Sequence, residues 1–191
     1  MPEPPPDTKA TILTLSNGLT SLRLLAAPVF YWSIVHQAWW TACALFWLAV
    51  VSDLLDGRIA RARNETSAFG GVLDHGSDAT FVALGHLALA RSGASPDLLA
   101  VLIVVAFLQY AFDSQILSGH TLRASVIGRW NGVLYFFSPG ILVTREALGL
   151  SIPTDVWIRT IGWILLVSTL ISMADRLIGV VQAVRSDLTR R

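Results

Sequence analysis

The sequence predicts an all-α integral membrane protein: a bundle of six transmembrane helices, with cytoplasmic termini and a polar cavity on the cytoplasmic side. Three observations carry this. Of 191 residues, 53% are hydrophobic and 14% charged, against about 25% charged in an ordinary soluble domain; mean hydropathy is +0.59. The apolar residues come in solid blocks, not in the alternation a β-barrel needs. The polar residues gather at particular block ends, as expected of helix ends lining a shared cavity, because charge facing lipid is costly. A net charge of +1 gives no electrostatic case for a nucleic-acid partner.

The chain opens with a Pro-rich polar stretch, so residues 1–10 read as a flexible lead-in. No small-residue cleavage site follows a basic segment there. Residues 11–191 read as one membrane domain, without a linker or internal repeat. Six apolar clusters follow: Leu24 to Val35, Trp39 to Val51, Phe81 to Ala90, Leu98 to Phe112, Gly132 to Thr144 and Trp157 to Met173. Each is shorter than the roughly 20 residues that cross a bilayer, so each spanning helix has to include polar ends. The fourth cluster excludes a soluble bundle, in which every helix keeps a polar face; Gln109 and Tyr110 are its only polar members. In the fifth, Pro139 and Gly140 predict a kink. The one cysteine, Cys43, lies in an apolar run and reads as packing.

Orientation follows from Lys and Arg. With a cytoplasmic N-terminus, eleven basic residues fall on that side, Arg23, Arg129 and Arg176 among them, and three (Arg91, Arg145 and Arg159) fall opposite. Trp39, Trp40 and Trp157 then start their helices at the outer interface, as amphipathic aromatics do.

The chemistry concentrates where the second helix ends and the third begins. Asp53 lies about 21 Å along the second helix from Trp39, near the cytoplasmic boundary. Asp53 and Asp56 are three apart, Asp74 and Asp78 four apart, so each pair shares a helix face. The connection is short, which makes the two helices antiparallel neighbours and brings four carboxylates to one depth. Close carboxylates cannot all stay ionised without compensation, and an all-oxygen donor set suits Mg²⁺ or Mn²⁺ better than zinc. Gly57 and Ala60 leave the stripe beside the carboxylates without bulk, and Arg61 offers a fork to a phosphate. Together these residues suggest a site for a diphosphate.

The pattern D-x2-D-G-x2-A-R-x8-G-x3-D-x3-D, matched here at Asp53, Asp56, Gly57, Ala60, Arg61, Gly70, Asp74 and Asp78, resembles the signature of the CDP-alcohol phosphatidyltransferases. By average residue usage a chance match is on the order of 10⁻⁷. Asn17-Gly-Leu-Thr20-x-x-Arg23 is similar to the opening of the family's first helix. The resemblance implies transfer of a phosphatidyl group from a CDP-linked lipid, usually CDP-diacylglycerol, to an alcohol acceptor with release of CMP, in phospholipid synthesis at the inner membrane. It implies two Mg²⁺ or Mn²⁺ ions held by Asp53, Asp56, Asp74 and Asp78, with Asp78 also the general base. It assigns Asn17, Gly57, Ala60, Arg61, Ser67 and Gly70 to the CDP-lipid, and it implies a homodimer among membrane lipids.

Glycerol phosphate, inositol phosphate, serine, choline and phospholipids all serve as acceptors in the family. Many glycerophosphate-type members carry Pro and Lys where this chain has His75 and Ala79. Arg123 and Arg129 read either as ligands of an acceptor phosphate or as topology anchors. His75 reads as an acceptor-side or a structural residue, and His86 as a hydrogen-bonded core residue. Other readings are a small membrane transporter with intramembrane carboxylates, which would bring internal repeats and broken midplane helices, and a non-catalytic homologue.

Overall fold

The structure, a computed structural model, describes residues 15–63, 68–116 and 126–190, with side chains described at 18, 20–55, 71, 73–112 and 126–182. Seven helices and no strand occur among them. They are α1 (Leu15–Val35), α2 (Trp39–Arg63), α3 (Ala68–Arg91), α4 (Asp97–Ile116), α5 (Val126–Leu134), α6 (Phe137–Ala147) and α7 (Asp155–Arg190). The helices run well past the apolar clusters that nucleate them, because the polar flanks remain helical. Among the described residues, by length and composition, only the Asp155–Gln182 part of α7 is long and apolar enough to cross a membrane, while Thr20–Val35, Trp39–Leu55 and Asp97–Phe112 form shorter apolar stretches.

The helices close a ring. Helix α1 packs on α2 and α3, α3 on α4, α4 on α7, α7 on α5, and α6 on α2. The main core is aromatic: Phe30 of α1 stacks on Phe81 of α3 with ring centroids 4.5 Å apart. Phe46 of α2 meets the α6 backbone at Gly140, where a Cβ would overlap its ring. A second cluster joins Val82, Leu99, Ile103, Tyr135 and Leu165.

Beside the apolar core several polar side chains are buried while many large apolar ones face outward, which a soluble bundle does not show. Thr20, Arg23, Ser77, His86, Asn131, Ser138 and Thr169 are buried, while Leu25, Leu48, Val101, Trp157, Ile164 and Ile171 stand on the outside.

The fifth cluster forms two helices, and the interruption falls at Tyr135–Phe136, one turn before Pro139. Proline has no N–H for the carbonyl four residues earlier and its ring crowds that carbonyl, which kinks or breaks a helix; α1 carries Pro28 without interruption, whereas here the helix breaks. The Phe136 N–H turns back to the Val133 carbonyl at 3.2 Å instead. The Tyr135 carbonyl that Pro139 leaves unserved is met by His86, whose Nε2 donates to it at 3.1 Å. The Ser95 hydroxyl donates to His86 Nδ1 at 2.9 Å, which fixes the tautomer. His86 is thus the satisfied core residue its sequence context predicts. Because of the interruption, α5 leans on α7 while α6 stays on α2, and space opens inside the ring.

Candidate active site

Three helices bring charge together at one end of that space. One oxygen from each of Asp53 on α2 and Asp74 and Asp78 on α3 lies within 4.8 Å of the others. Oxygens on opposite sides of a hard divalent cation, each bound at about 2.1–2.4 Å, stand roughly 4.2–4.8 Å apart, so the triad has the dimensions of one ion's shell. The side chains are 41%, 35% and 28% exposed, which leaves them open to a ligand. The side chain of Asp56, the fourth expected ligand, is outside the described residues.

The guanidinium of Arg23 sits among the three carboxylates. Its Nη1 stands 3.3 Å from Asp53 and 3.3 Å from Asp74 and donates to Asp78. The Ser77 hydroxyl is 3.5 Å away, and the Arg23 side chain is 0% exposed. The sequence reading counted Arg23 with the basic residues on the side where it also put the acids, but did not foresee that it pairs with them. The cause is tertiary: α1 packs against both α2 and α3, so a basic residue on its inner face meets acids from both. Three carboxylates against one guanidinium leave a formal charge of −2 for the described side chains. Two unit charges 4 Å apart interact by about 4 kcal/mol at the effective dielectric of a protein surface. That residual charge matches one divalent cation, so the donor set and its charge both fit Mg²⁺ or Mn²⁺.

The triad opens on a cavity of about 1010 Å³. Asp53 and Asp78 line one end, together with His75, Tyr110, Arg129 and Arg176, and Val82, Ile103, Phe107 and Phe136 line its middle. The far end reaches Thr144 and Arg145. Arg145 is held there by Asp155 at 2.7 Å and the Pro153 carbonyl at 2.9 Å. A mostly apolar space with a carboxylate and arginine cluster at one end, and Arg145 at the other already paired with Asp155, has the character of a site for an amphiphile.

Of the other residues singled out in the sequence, Arg129 lies on α5 and lines the cavity, as do His75 and Ala79. Gly57, Ala60 and Arg61 fall on the helical backbone of α2, Gly70 on α3 and Asn17 on α1; their side chains are outside the described residues. Ser67 and Arg123 lie outside the described residues altogether. Besides Arg23, the sequence reading missed Arg176 and Tyr110. Arg176 follows the last apolar cluster by three residues and looks like a flanking charge; its Cζ lies 5.0 Å from the centroid of the Tyr110 ring.

The sequence profile of the CDP-alcohol phosphatidyltransferase family matches residues 13–182. A cardiolipin synthase (CMP-forming)/mitochondrial hydrolase fusion protein of Schizosaccharomyces pombe is 31% identical over 160 residues, 73% of this chain and 27% of that protein. A CDP-diacylglycerol–glycerol-3-phosphate 3-phosphatidyltransferase of Cereibacter sphaeroides is 36% identical over 99 residues, 49% of this chain and 45% of that one. A probable phosphatidylglycerophosphate synthase of Mycobacterium tuberculosis is 30% identical over 155 residues, 78% of this chain and 72% of its own length. The match thus spans about a quarter of the first relative and less than half of the second.

Proposed function

Because the chain belongs to the CDP-alcohol phosphatidyltransferase family, we propose that it transfers a phosphatidyl group from CDP-diacylglycerol to a phosphate-bearing alcohol, releasing CMP, in phospholipid synthesis. The observation that carries this is the Asp53–Asp74–Asp78 triad, with oxygens within 4.8 Å, at the end of a largely apolar cavity. Residues 11–191 act as one membrane domain. The many outward-facing large apolar side chains, with Arg23, His86 and Asn131 buried inside, support membrane embedding. In this reading α5 and α6 together make one of six crossings, and the termini and the triad face the cytoplasm at the inner membrane. The protein works as a homodimer.

Asp53, Asp56, Asp74 and Asp78 hold Mg²⁺ or Mn²⁺ ions, two of them in this reading. When bound, the metal neutralises the diphosphate and the departing CMP. Asn17, Gly57, Ala60, Arg61, Ser67 and Gly70 seat the CDP part, and the acyl tails remain in the apolar space. The acceptor hydroxyl attacks the phosphorus that carries diacylglycerol. A new P–O bond forms, the P–O bond to CMP breaks, and Asp78 takes the hydroxyl proton.

Arg129 and Arg176 line the same end of the cavity as Asp78, and they support an acceptor that itself carries a phosphate, with Arg123 as a further ligand. Glycerol phosphate, inositol phosphate and a phospholipid meet that requirement; serine and choline do not. The test is incubation of the purified protein with labelled CDP-diacylglycerol, Mg²⁺ and a panel of these acceptors, reading CMP and the lipid product. CMP release that depends on a phosphate-bearing acceptor is expected. No CMP with any acceptor would overturn the reading.

A further inference from the structure

His75 lies on α3 next to Asp74, and its surroundings tie it to two other helices. Its Nδ1 donates to the Gly71 carbonyl at 2.8 Å, one turn back along α3, which fixes the ring. The ring stacks on Tyr110 of α4, with centroids 5.9 Å apart and planes 24° from parallel. The same Tyr110 ring carries the guanidinium of Arg176 from α7 at 5.0 Å. Three helices thus meet through one ring, and all three side chains line the cavity beside Asp78.

Helix α5 is shaped to allow this. A Cβ at Gly128 would stand 3.1 Å from Arg176 Nη2 and 2.7 Å from Ser172 Oγ. A larger residue would crowd Ser172 first and ask the guanidinium to give by a few tenths of an ångström, so glycine here leaves both of them room beside that helix. An arginine has several rotatable bonds and loses much freedom when it binds an anion. Held beforehand against an aromatic face and a glycine, it binds at lower entropic cost.

Resting on the transfer reading above, we propose that Tyr110, with His75 behind it and Gly128 beside it, is a positioning residue that presets Arg176 to select an acceptor bearing a phosphate. The phosphate is either that of a soluble phosphoalcohol or that of a phospholipid headgroup. In both cases the chemistry recognised is the same, an anionic oxygen pair offered to a guanidinium.

The experiment compares wild type with Tyr110→Leu, Tyr110→Phe and Gly128→Ala in two acceptor arms, sn-glycerol 3-phosphate and phosphatidylglycerol. Apparent KM is read for acceptor and donor separately. Tyr110→Leu is expected to raise the KM of the acceptor in use about two- to fivefold, the scale of an exposed cation–π contact, without a matching rise for CDP-diacylglycerol. Tyr110→Phe keeps the ring and holds the acceptor KM near wild type, while Gly128→Ala moves the acceptor KM in the same direction as Tyr110→Leu but by less. The arm that responds identifies the source of the phosphate. A second readout needs no turnover: the thermal upshift that each acceptor gives the purified protein. If no transfer occurs but the upshift is lost in Tyr110→Leu and kept in Tyr110→Phe, the stack stands and the transfer reading falls. Equal rises in both KM values, no rise at all, an unchanged upshift in Tyr110→Leu, or no upshift and no transfer with either acceptor in the wild type would each overturn the proposal.

Discussion

Arg23 on α1 donates through Nη1 to Asp78 on α3, and the same nitrogen stands 3.3 Å from Asp53 and from Asp74. One buried cation from the first helix therefore holds together acids from the next two. Replacing Arg23 with Ala leaves three carboxylates facing one another. The carboxylates left behind are partly open to solvent, so the loss falls short of that for a fully buried pair and is about 1–3 kcal/mol; the metal-free protein should lose stability on that scale. A divalent cation can take over the compensation, so the metal should stabilise Arg23→Ala more than it stabilises wild type. Thermal unfolding in mild detergent, with chelator and with Mg²⁺, reads both effects. Equal metal-induced shifts in the two proteins would show that the guanidinium is not the resident counter-ion.

A second prediction concerns the metal itself. The described side chains of the cluster sum to −2, and no further cation contacts the triad among them. Chelation should therefore abolish CMP release, and Mg²⁺ or Mn²⁺ should restore it. Undiminished transfer after exhaustive stripping, in excess chelator, counts directly against a metal site at Asp53, Asp74 and Asp78.

How far the sequence foretold this site depends on where the information lies. Asp74 and Asp78 share a face because four residues make about one turn, a local fact visible in the spacing. Asp53 meets them beside α1, which packs on both α2 and α3; the short connection led the sequence reading to expect α2 and α3 as packed neighbours, and among the described residues they touch little directly. Arg23 is different. A single arginine next to an apolar run looks the same whether it flanks a membrane or pairs inside the protein. The distinction comes from how α1 packs on α2 and α3, which no local pattern carries. Arg176 was obscure for the same reason, since its partner Tyr110 lies on α4. In the fifth cluster, Pro139 announced a kink, but its position at Tyr135–Phe136 follows from the carbonyl that proline leaves unserved, together with His86 from α3 standing ready to serve it.

That last pairing makes a third prediction. His86 is fully buried and bridges the Ser95 hydroxyl and the Tyr135 carbonyl. Substituting Leu keeps the volume roughly constant but leaves a buried carbonyl and a hydroxyl without partners. An unsatisfied buried group costs about 1–3 kcal/mol, so His86→Leu should unfold at a clearly lower temperature. Its transfer kinetics, measured well below that temperature, should match wild type, because His86 does not line the cavity. A large change in kcat with unchanged stability would move His86 into the catalytic machinery.

The final prediction separates Asp78 from the other acids. Asp53 comes from α2, and Asp74 lies one turn closer than Asp78 to the start of α3. Asp78 stands about 6 Å further along that helix, lines the cavity and is the acid that Arg23 contacts most closely. An acceptor hydroxyl entering past Arg129 and Arg176 meets Asp78 in the same cavity, whereas Asp74 is not part of its lining. General-base assistance is typically worth about 10²–10⁴-fold. Asn cannot take a proton, but its carbonyl oxygen still offers the site one neutral ligand. Asp78→Asn should therefore retain measurable binding of CDP-diacylglycerol while losing transfer by about that factor. Asp53→Asn removes a charge from the donor side, with no proton-transfer role to lose, and should weaken metal and donor binding together. The comparison requires donor affinity and single-turnover rate on the same purified variants, each saturated with metal. Near-normal transfer by Asp78→Asn would remove the base assignment. Loss of metal and donor binding as complete as in Asp53→Asn would make Asp78 mainly a metal ligand and send the acceptor proton by another route.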